Sequence, residues 1–191
     1  MSAGECITLP QDEVAFGLIK PGFEKDQGPI IEVIRDSGLE VVYAQRSCLT
    51  PGSIDVIYRS SVAEHFYRAM KQYLIGKEVL ALIITGAGPE SQDRLNILKK
   101  SPDGSDGPIR LMFSRDAQLS PEEIVLWENQ EHPRQDEVTV ILTQRNVLHS
   151  SDTNQDAIAG IHAVLGHRLQ AHSINGTLPG ELSGLAGGVR I

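Results

Sequence analysis

The sequence contains few of the residues that define several classes of protein. Only two of its 191 residues are cysteines, too few for a disulfide framework, and neither has metal-ligand spacing. No apolar run approaches the roughly 20 residues that span a bilayer, and the first residues lack the basic start of a signal peptide. Aromatic residues make up 5% of the chain, with a single tryptophan, Trp127. We therefore expect a soluble, cytoplasmic protein with no membrane partner.

Basic residues are scarce as well, because 17 Lys and Arg face 25 Asp and Glu, a net charge of −8. This excess argues against a nucleic-acid partner and against an anionic membrane, both of which need a basic face. The charge is uneven, since residues 115–137 hold 2 basic and 7 acidic residues. The rest of the chain is only mildly acidic and is compatible with a local basic pocket for a phosphate.

The chain does have an ordinary globular composition, 40% hydrophobic and 22% charged, and enough length for one domain with a real core. Apolar runs predict four strands, within residues 14–19, 39–49, 79–84 and 137–143. Capping patterns and helical spacing predict helices over 28–37, from Thr50-Pro51, from Ser61 with Glu64 to 75, and over 89–100, 120–130 and 156–170. This order predicts an α+β fold, a ferredoxin-like sandwich with a four-stranded antiparallel sheet.

The domain boundaries follow from the same pass along the chain. We expect an N-terminal extension over residues 1–12 and a domain over 13–170, which contains an acidic insertion at 115–137. Residues 171–191 are rich in glycine and are predicted to form a flexible tail. The insertion contains Trp127 in an apolar helical stripe, which packs either on its own domain or a subunit interface, or forms a lid near the site.

His149 is the histidine best placed for chemistry, because it follows the predicted fourth strand and precedes small polar residues at a helix start. A neutral imidazole there can act as a nucleophile or base, although a lone loop histidine is more often structural. No histidine pair has the spacing of a zinc site, and the sequence has no GxxxxGK[ST] phosphate loop.

Two runs resemble the nucleoside diphosphate kinase family. Residues 16–22, FGLIKPG, resemble the family's first strand and Lys-Pro turn, and residues 145–152, RNVLHSSD, resemble its Asn-x-x-His-Gly-Ser-Asp segment. Between them, further residues fall on family site positions in family order: Tyr58, Phe66, Met70, Arg94 and Arg110. The resemblance covers about residues 13–168 and implies the family's sandwich fold.

The resemblance also implies an activity, the transfer of the γ-phosphate of a nucleoside triphosphate to a nucleoside diphosphate through a phosphohistidine. His149 would carry the phosphoryl group, Tyr58 would support it, and Ser151 would have a supporting role. The phosphates and the nucleoside would be held by Lys20, Phe66, Met70, Arg94, Lys100, Arg110 and Asn146, with Phe66 stacked on the base. Mg²⁺ would be held through the phosphates without a protein ligand, and the protein would form a homo-oligomer.

Four departures from the family pattern keep other functions open. The glutamate that orients the family histidine is replaced by Gly160, a phosphate-contacting threonine by Lys100, and the glycine after the histidine by Ser150. The acidic insertion is the fourth. An active kinase, a nucleotide-binding regulatory or assembly module, and a phosphohistidine enzyme with another acceptor are therefore three hypotheses. If the resemblance aligns these positions correctly, Arg94, Arg110 and His149 converge on one cleft; side chains on different faces would mean that the alignment is wrong.

Overall fold

A computed structural model describes residues 7–8, 13–115, 119–169 and 177–178. Most of the predicted N-terminal extension and C-terminal tail therefore lies outside the described residues. The strands are β1 Ile7–Thr8, β2 Ala15–Ile19, β3 Glu40–Cys48, β4 Glu78–Thr85, β5 Leu148–Ser150 and β6 Thr177–Leu178. The helices are α1 Gln27–Asp36, α2 Pro51–Ile57, α3 Tyr67–Leu74, α4 Ser91–Lys99, α5 Pro108–Phe113, α6 Pro121–Glu128, α7 Gln135–Arg145 and α8 Asn154–Leu169.

The main sheet has four antiparallel strands in the order β3-β4-β2-β5. This confirms the predicted α+β fold with its four-stranded antiparallel sheet. The short strands β1 and β6 form a separate antiparallel pair, in which Ile7 is opposite Leu178. Because β2 lies between two neighbours and pairs with both, its position governs where β5 and the residues on it are held.

Helices cover both faces of the sheet, and each face has its own core. Alternate residues of β2 point in opposite directions, so Phe16 and Leu18 join the core beneath α2, α3 and α8, whereas Ala15 and Ile19 join the core beneath α1, α4 and α5. Every residue of β2 is buried. A strand buried on both faces has a continuous apolar sequence, as residues 14–19 do.

One predicted strand is wrong, because residues 137–143 lie within helix α7. The alternation of Val138, Val140 and Leu142 suggested a strand, but Val138 and Leu142 are also one helical turn apart. Two threonines of α7 satisfy their hydroxyls along the helix: Thr139 Oγ1 donates to the Gln135 carbonyl and Thr143 Oγ1 to the Thr139 carbonyl. The fourth strand of the sheet is instead the three-residue β5, which contains His149 rather than preceding it.

The capping predictions succeed at two helices and fail at a third. Thr50 with Ser53 and Ser120 with Glu123 form the capping boxes of α2 and α6. Ser61 and Glu64 do not start a helix, because Arg59–Ser61 is a short 3-10 turn and α3 begins only at Tyr67. The later start leaves Phe66 at the N-cap of α3, next to the pocket described below.

Candidate functional site

His149 and Lys20 lie on the same face of the sheet because of strand register. His149 is opposite Leu18 across the β2–β5 pair, and Lys20 follows Leu18 by two residues. Side chains alternate along a strand, so both point toward the face covered by α2 and α8. The Lys20 amide donates to the Val147 carbonyl at 2.9 Å, which extends the pairing beyond β5.

Tyr58, the C-cap residue of α2, lies between these two side chains. Its ring centroid is 4.5 Å from that of His149, at an interplanar angle of 50°. The Lys20 Nζ atom lies 5.8 Å from the centre of the same ring. Lys20 and Tyr58 are both buried, so the three predicted catalytic side chains form one packed group.

Burial and neighbouring positive charges lower the pKa values of the two basic side chains in this group, Lys20 and His149. Burial, with the charges of Arg110 and Lys99, lowers the pKa of Lys20 to about 7. Burial, with the charges of Lys99 and Lys20, lowers the pKa of His149 well below its usual value. His149 is therefore a neutral imidazole at pH 7, with a ring nitrogen lone pair available. Among the described residues, its buried Nε2 atom has no hydrogen-bond partner.

Arg110 and Asn146 form a second group beside the first. In the amide orientation that satisfies both neighbours, Asn146 accepts from Arg110 Nη2 at 3.2 Å and donates to the Leu148 carbonyl at 3.1 Å. Arg110 Nη1 is also 3.2 Å from the Asp106 carboxylate, which partly neutralises it. With Arg145, these residues line an open cavity of about 210 Å³. The guanidinium is thus held at the edge of a space that can admit an anion.

A larger cavity, of about 260 Å³, opens on the other side of Asn146. It brings together five residues that the sequence predicted for the site: Lys20, Tyr58, Phe66, Met70 and Asn146. The remaining lining residues are Ser61, Trp127, Leu142 and two threonines of α7, Thr139 and Thr143. We call this space the aromatic pocket, because Phe66 and Trp127 form its widest apolar walls.

Two predicted phosphate-binding residues are not brought to this group. Arg94 lies on α4; its guanidinium is 3.8 Å from the Glu90 carboxylate, its side chain is 48% exposed, and it lines neither of the two cavities. Lys100 ends α4, is exposed, and pairs by its backbone with Asp106. The predicted convergence of Arg94 with Arg110 and His149 is therefore not found.

Lys99 is the cation that the sequence reasoning missed. It is five residues beyond Arg94, which rotates it by about 140° around α4. It is partly buried, and its charge lowers the pKa of both His149 and Lys20. Burial lowers the pKa of Lys99 itself, and the negative charge of the Asp152 carboxylate opposes this shift. A lysine in the C-terminal turn of the helix was the available signal, but the resemblance pointed to Arg94, five residues earlier, and to Lys100, the next residue.

The residues that depart from the family pattern have structural roles here. Gly160 lies against the buried Phe16 ring, and a Cβ atom at Gly160 would be only 2.6 Å from Phe16 Cδ1. Ser150 is opposite Gly17, so it points to the other face of the sheet, where its Oγ is 2.5 Å from Asn96 Oδ1. Ser151 is buried, and its carbonyl accepts from Gln92. No space is left for a longer side chain at position 160.

The described part of the chain has neither a metal-binding cluster nor a membrane-spanning helix. Across residues 13–115 and 119–169 and the short strand pair, no group of three or more His, Cys, Asp or Glu side chains is arranged to hold a metal ion. Nor does any described helix have the length and apolarity needed to cross a membrane.

Comparison with solved structures identifies the fold class. The chain matches nucleoside diphosphate kinase structures from Encephalitozoon cuniculi (TM-score 0.55, 18% identity, 84% of this chain and 94% of that one) and Aquifex aeolicus (0.56, 15%, 87% and 99%). It also matches the Borrelia burgdorferi enzyme solved with vanadate and ADP as a transition-state mimic (0.58, 17%, 87% and 90%). At these identities the likeness establishes the fold alone.

Sequence comparison points to the same family. No family model matches the chain. A nucleoside diphosphate kinase from Oleidesulfovibrio alaskensis is 25% identical over 105 residues, 53% of this chain and 76% of the relative. One from a Nocardioides species is 28% identical over 117 residues, 60% and 79%. The chain is therefore a distant relative of the nucleoside diphosphate kinases, as the resemblance predicted.

Proposed function

We propose that this chain transfers the γ-phosphate of a nucleoside triphosphate to a nucleoside diphosphate, with His149 as the phosphoryl carrier. The observation that carries the proposal is the packing of a neutral histidine against the Tyr58 ring, with the Lys20 ammonium near the same ring. Tyr58 and Lys20 line the aromatic pocket and Arg110 lines the neighbouring cavity, whereas His149 lies behind them and lines neither. Phosphoryl transfer depends mainly on positioning and on charge stabilisation, and this group offers both.

The first half-reaction forms one bond and breaks one. The lone pair of an imidazole nitrogen of His149 attacks the γ-phosphorus, and the bond from that phosphorus to the β–γ bridging oxygen breaks. The electron pair leaves with the nucleoside diphosphate. Because the pKa of His149 is lowered, no proton has to be removed first. A terminal oxygen of a second nucleoside diphosphate then attacks the phosphohistidine and restores the neutral imidazole.

The cations around His149 have separate tasks. Arg110 holds phosphate oxygens through its planar donor fork, and Lys99, whose charge lowers the pKa of His149, adds positive charge near the histidine. Asn146 lines both cavities and Lys20 lines the aromatic pocket, where they can hold the ribose hydroxyls near the phosphates. Mg²⁺ would be held by the phosphates themselves, which fits a site whose nearby side chains are cationic.

A second candidate function is nucleotide binding without efficient transfer. Its support is the contact between Gly160 and Phe16, which excludes a carboxylate that would orient the histidine from that position. Such an orienting partner affects rate more than binding. A phosphohistidine enzyme with another acceptor would share the first half-reaction and differ only in the second.

The deciding assay measures transfer from ATP to GDP or CDP in the presence of Mg²⁺, using wild type, His149→Gln and His162→Gln. His162 is an exposed histidine on α8 and serves as the matched control. We expect GTP or CTP to form with wild type and with His162→Gln, and not with His149→Gln. Nucleotide binding without product would favour the binding module, and label trapped on the protein would favour another acceptor. Equal product from all three proteins would refute the role of His149.

A further inference from the structure

The single tryptophan of the chain packs against the residue that resembles the family's base-stacking aromatic. Trp127 on α6 and Phe66 have ring centroids 5.8 Å apart and planes inclined by 30°, a stacked arrangement. Both rings line the aromatic pocket, together with Lys20, Tyr58 and Asn146. Trp127 belongs to the acidic segment 115–137, so that segment contributes a wall to the candidate site.

Trp127 lines the pocket and is held in place by hydrogen bonds and by contacts with two other rings. Its Nε1 atom donates to Thr139 Oγ1 at 2.9 Å, and its carbonyl accepts from Gln135 Nε2 at 2.6 Å. His65 meets both aromatic rings edge-on, with centroids 4.9 Å from Trp127 and 5.5 Å from Phe66. A tryptophan that only filled a core would be buried, whereas this one is partly exposed within a cavity.

We propose that Phe66 and Trp127 form an aromatic clamp, and that the base of a bound nucleotide inserts between them. This inference rests on the proposed function, since it assumes that a nucleoside phosphate binds here. Stacked bases are spaced by about 3.4 Å, so a base between two rings needs a separation of roughly 7 Å. The 5.8 Å distance joins the centroids of two rings that are stacked on each other, so the rings must move apart and become more nearly parallel before a base can enter.

The polar groups around the clamp predict low discrimination between bases. The Thr139 hydroxyl already accepts from Trp127 and donates to the Gln135 carbonyl, and the Thr143 hydroxyl donates to the Thr139 carbonyl. Each hydroxyl has one hydrogen, which is already donated, so neither threonine can donate a hydrogen bond to the edge of a base. Stacking is tolerant of base identity and grows with ring area. The clamp should therefore accept all bases and hold purines more tightly than pyrimidines.

The acidic side chains of α6 do not oppose a nucleotide in the clamp. Glu122 and Glu128 are exposed, and Glu123 is engaged in the capping box with Ser120. The pocket side of the helix offers the Trp127 ring rather than a carboxylate. The excess negative charge of the segment is thus compatible with a phosphate ligand held by Lys20 and Arg110.

Trp127 allows a direct test because it is the only tryptophan in the chain. Its fluorescence in wild type is followed during titration with ADP and, separately, with inorganic tripolyphosphate, which has phosphates and no base. We expect ADP to quench the emission strongly and tripolyphosphate to bind with little change. Equal responses to the two ligands would overturn the clamp.

Calorimetric titration of variants provides the second arm. Trp127→Leu should weaken ADP binding by roughly 5- to 100-fold, the range for loss of one base–aromatic stack, and leave tripolyphosphate within about twofold. Trp127→Phe keeps a ring and should retain most of the affinity. Val125→Ala, at an exposed site on the same helix, is the matched control and should bind like wild type. Thermal unfolding checks that each variant is folded.

The outcomes separate this inference from the proposed function. Unchanged or tighter ADP binding by Trp127→Leu, with transfer intact, would refute the clamp and leave the role of His149 standing. Base-dependent quenching without any transfer would support the clamp and count against the transferase. If neither ADP nor tripolyphosphate bound the wild type, both proposals would fail.

Discussion

A methyl group added at Gly160 should destabilise the protein, although the same change elsewhere in α8 should not. The Cβ of Gly160→Ala would lie 2.6 and 2.7 Å from two ring atoms of Phe16, which is fully buried. Overpacking of this kind costs about 1–3 kcal/mol, against a gain of roughly 1 kcal/mol from replacing glycine within a helix. We therefore expect Gly160→Ala to be between neutral and about 2 kcal/mol less stable than wild type.

Gly166→Ala is the matched control, because it lies in the same helix and, among the described residues, its Cβ would meet no atom within 4 Å. The gain in helix propensity is common to both variants, so their difference isolates the contact with Phe16. Urea unfolding should find Gly160→Ala less stable than Gly166→Ala by about 1–3 kcal/mol. In a Phe16→Leu background that difference should shrink, since the two residues are in contact.

Equal stabilities for the two glycine variants would refute the reasoning. The result also bears on function, because the family glutamate would occupy position 160. If even the methyl group of Gly160→Ala lowers the stability through its contact with Phe16, the longer side chain of Gly160→Glu cannot bring a carboxylate to His149 without displacing Phe16. We therefore expect that variant to lose stability and to gain no transfer activity.

Two further predictions concern the cations. The pKa of Lys20 is about 7 in the folded protein and 10.5 in an ordinary lysine, so the unfolded chain binds more protons between these values. In urea unfolding, wild-type stability relative to Lys20→Met should accordingly rise with pH across this window, at up to about 1.4 kcal/mol per unit; a constant difference would contradict the burial argument. In calorimetric titrations, Lys99→Gln should bind tripolyphosphate about tenfold more weakly than wild type, because it loses one charge-assisted contact. Arg94→Gln should bind it within twofold of wild type. The opposite order of the two variants would show that Arg94, and not Lys99, belongs to the site.

The sequence predicted the fold well where burial dominates the pattern. The run that includes Ala15 to Ile19 is apolar throughout because helices cover both faces of β2, and this signal is hard to mistake. Residues 137–143 were wrongly predicted as a strand, because their alternating β-branched residues fit a strand while the same apolar residues also have helical spacing. Residues 137–143 form a helix because α7 packs against α3. A short stretch of sequence does not contain the information about such a contact with a distant element.

The sequence predicted which residues belong to the candidate site better than it predicted how those residues are arranged. Lys20 and His149 share a face only because of the β2–β5 register, which a sequence does not state. Arg94 and Lys99 lie on one helix, and its rotation against the sheet decides that Lys99 is partly buried and lowers the pKa of His149 while Arg94 is exposed. Trp127 was predicted to pack on something, but its partner, Phe66, lies 61 positions earlier in the sequence.

The most direct test of the account is to look for a phosphoryl group on His149 itself. Wild type and His149→Gln are incubated with ATP and Mg²⁺ in the absence of an acceptor, and the intact mass and phosphopeptides are measured under alkaline conditions. We predict one phosphoryl group on wild type, located on His149, stable in base and lost in acid. The His149→Gln protein should stay unmodified. An unmodified wild type at saturating ATP, or the same label on both proteins, would contradict the central claim.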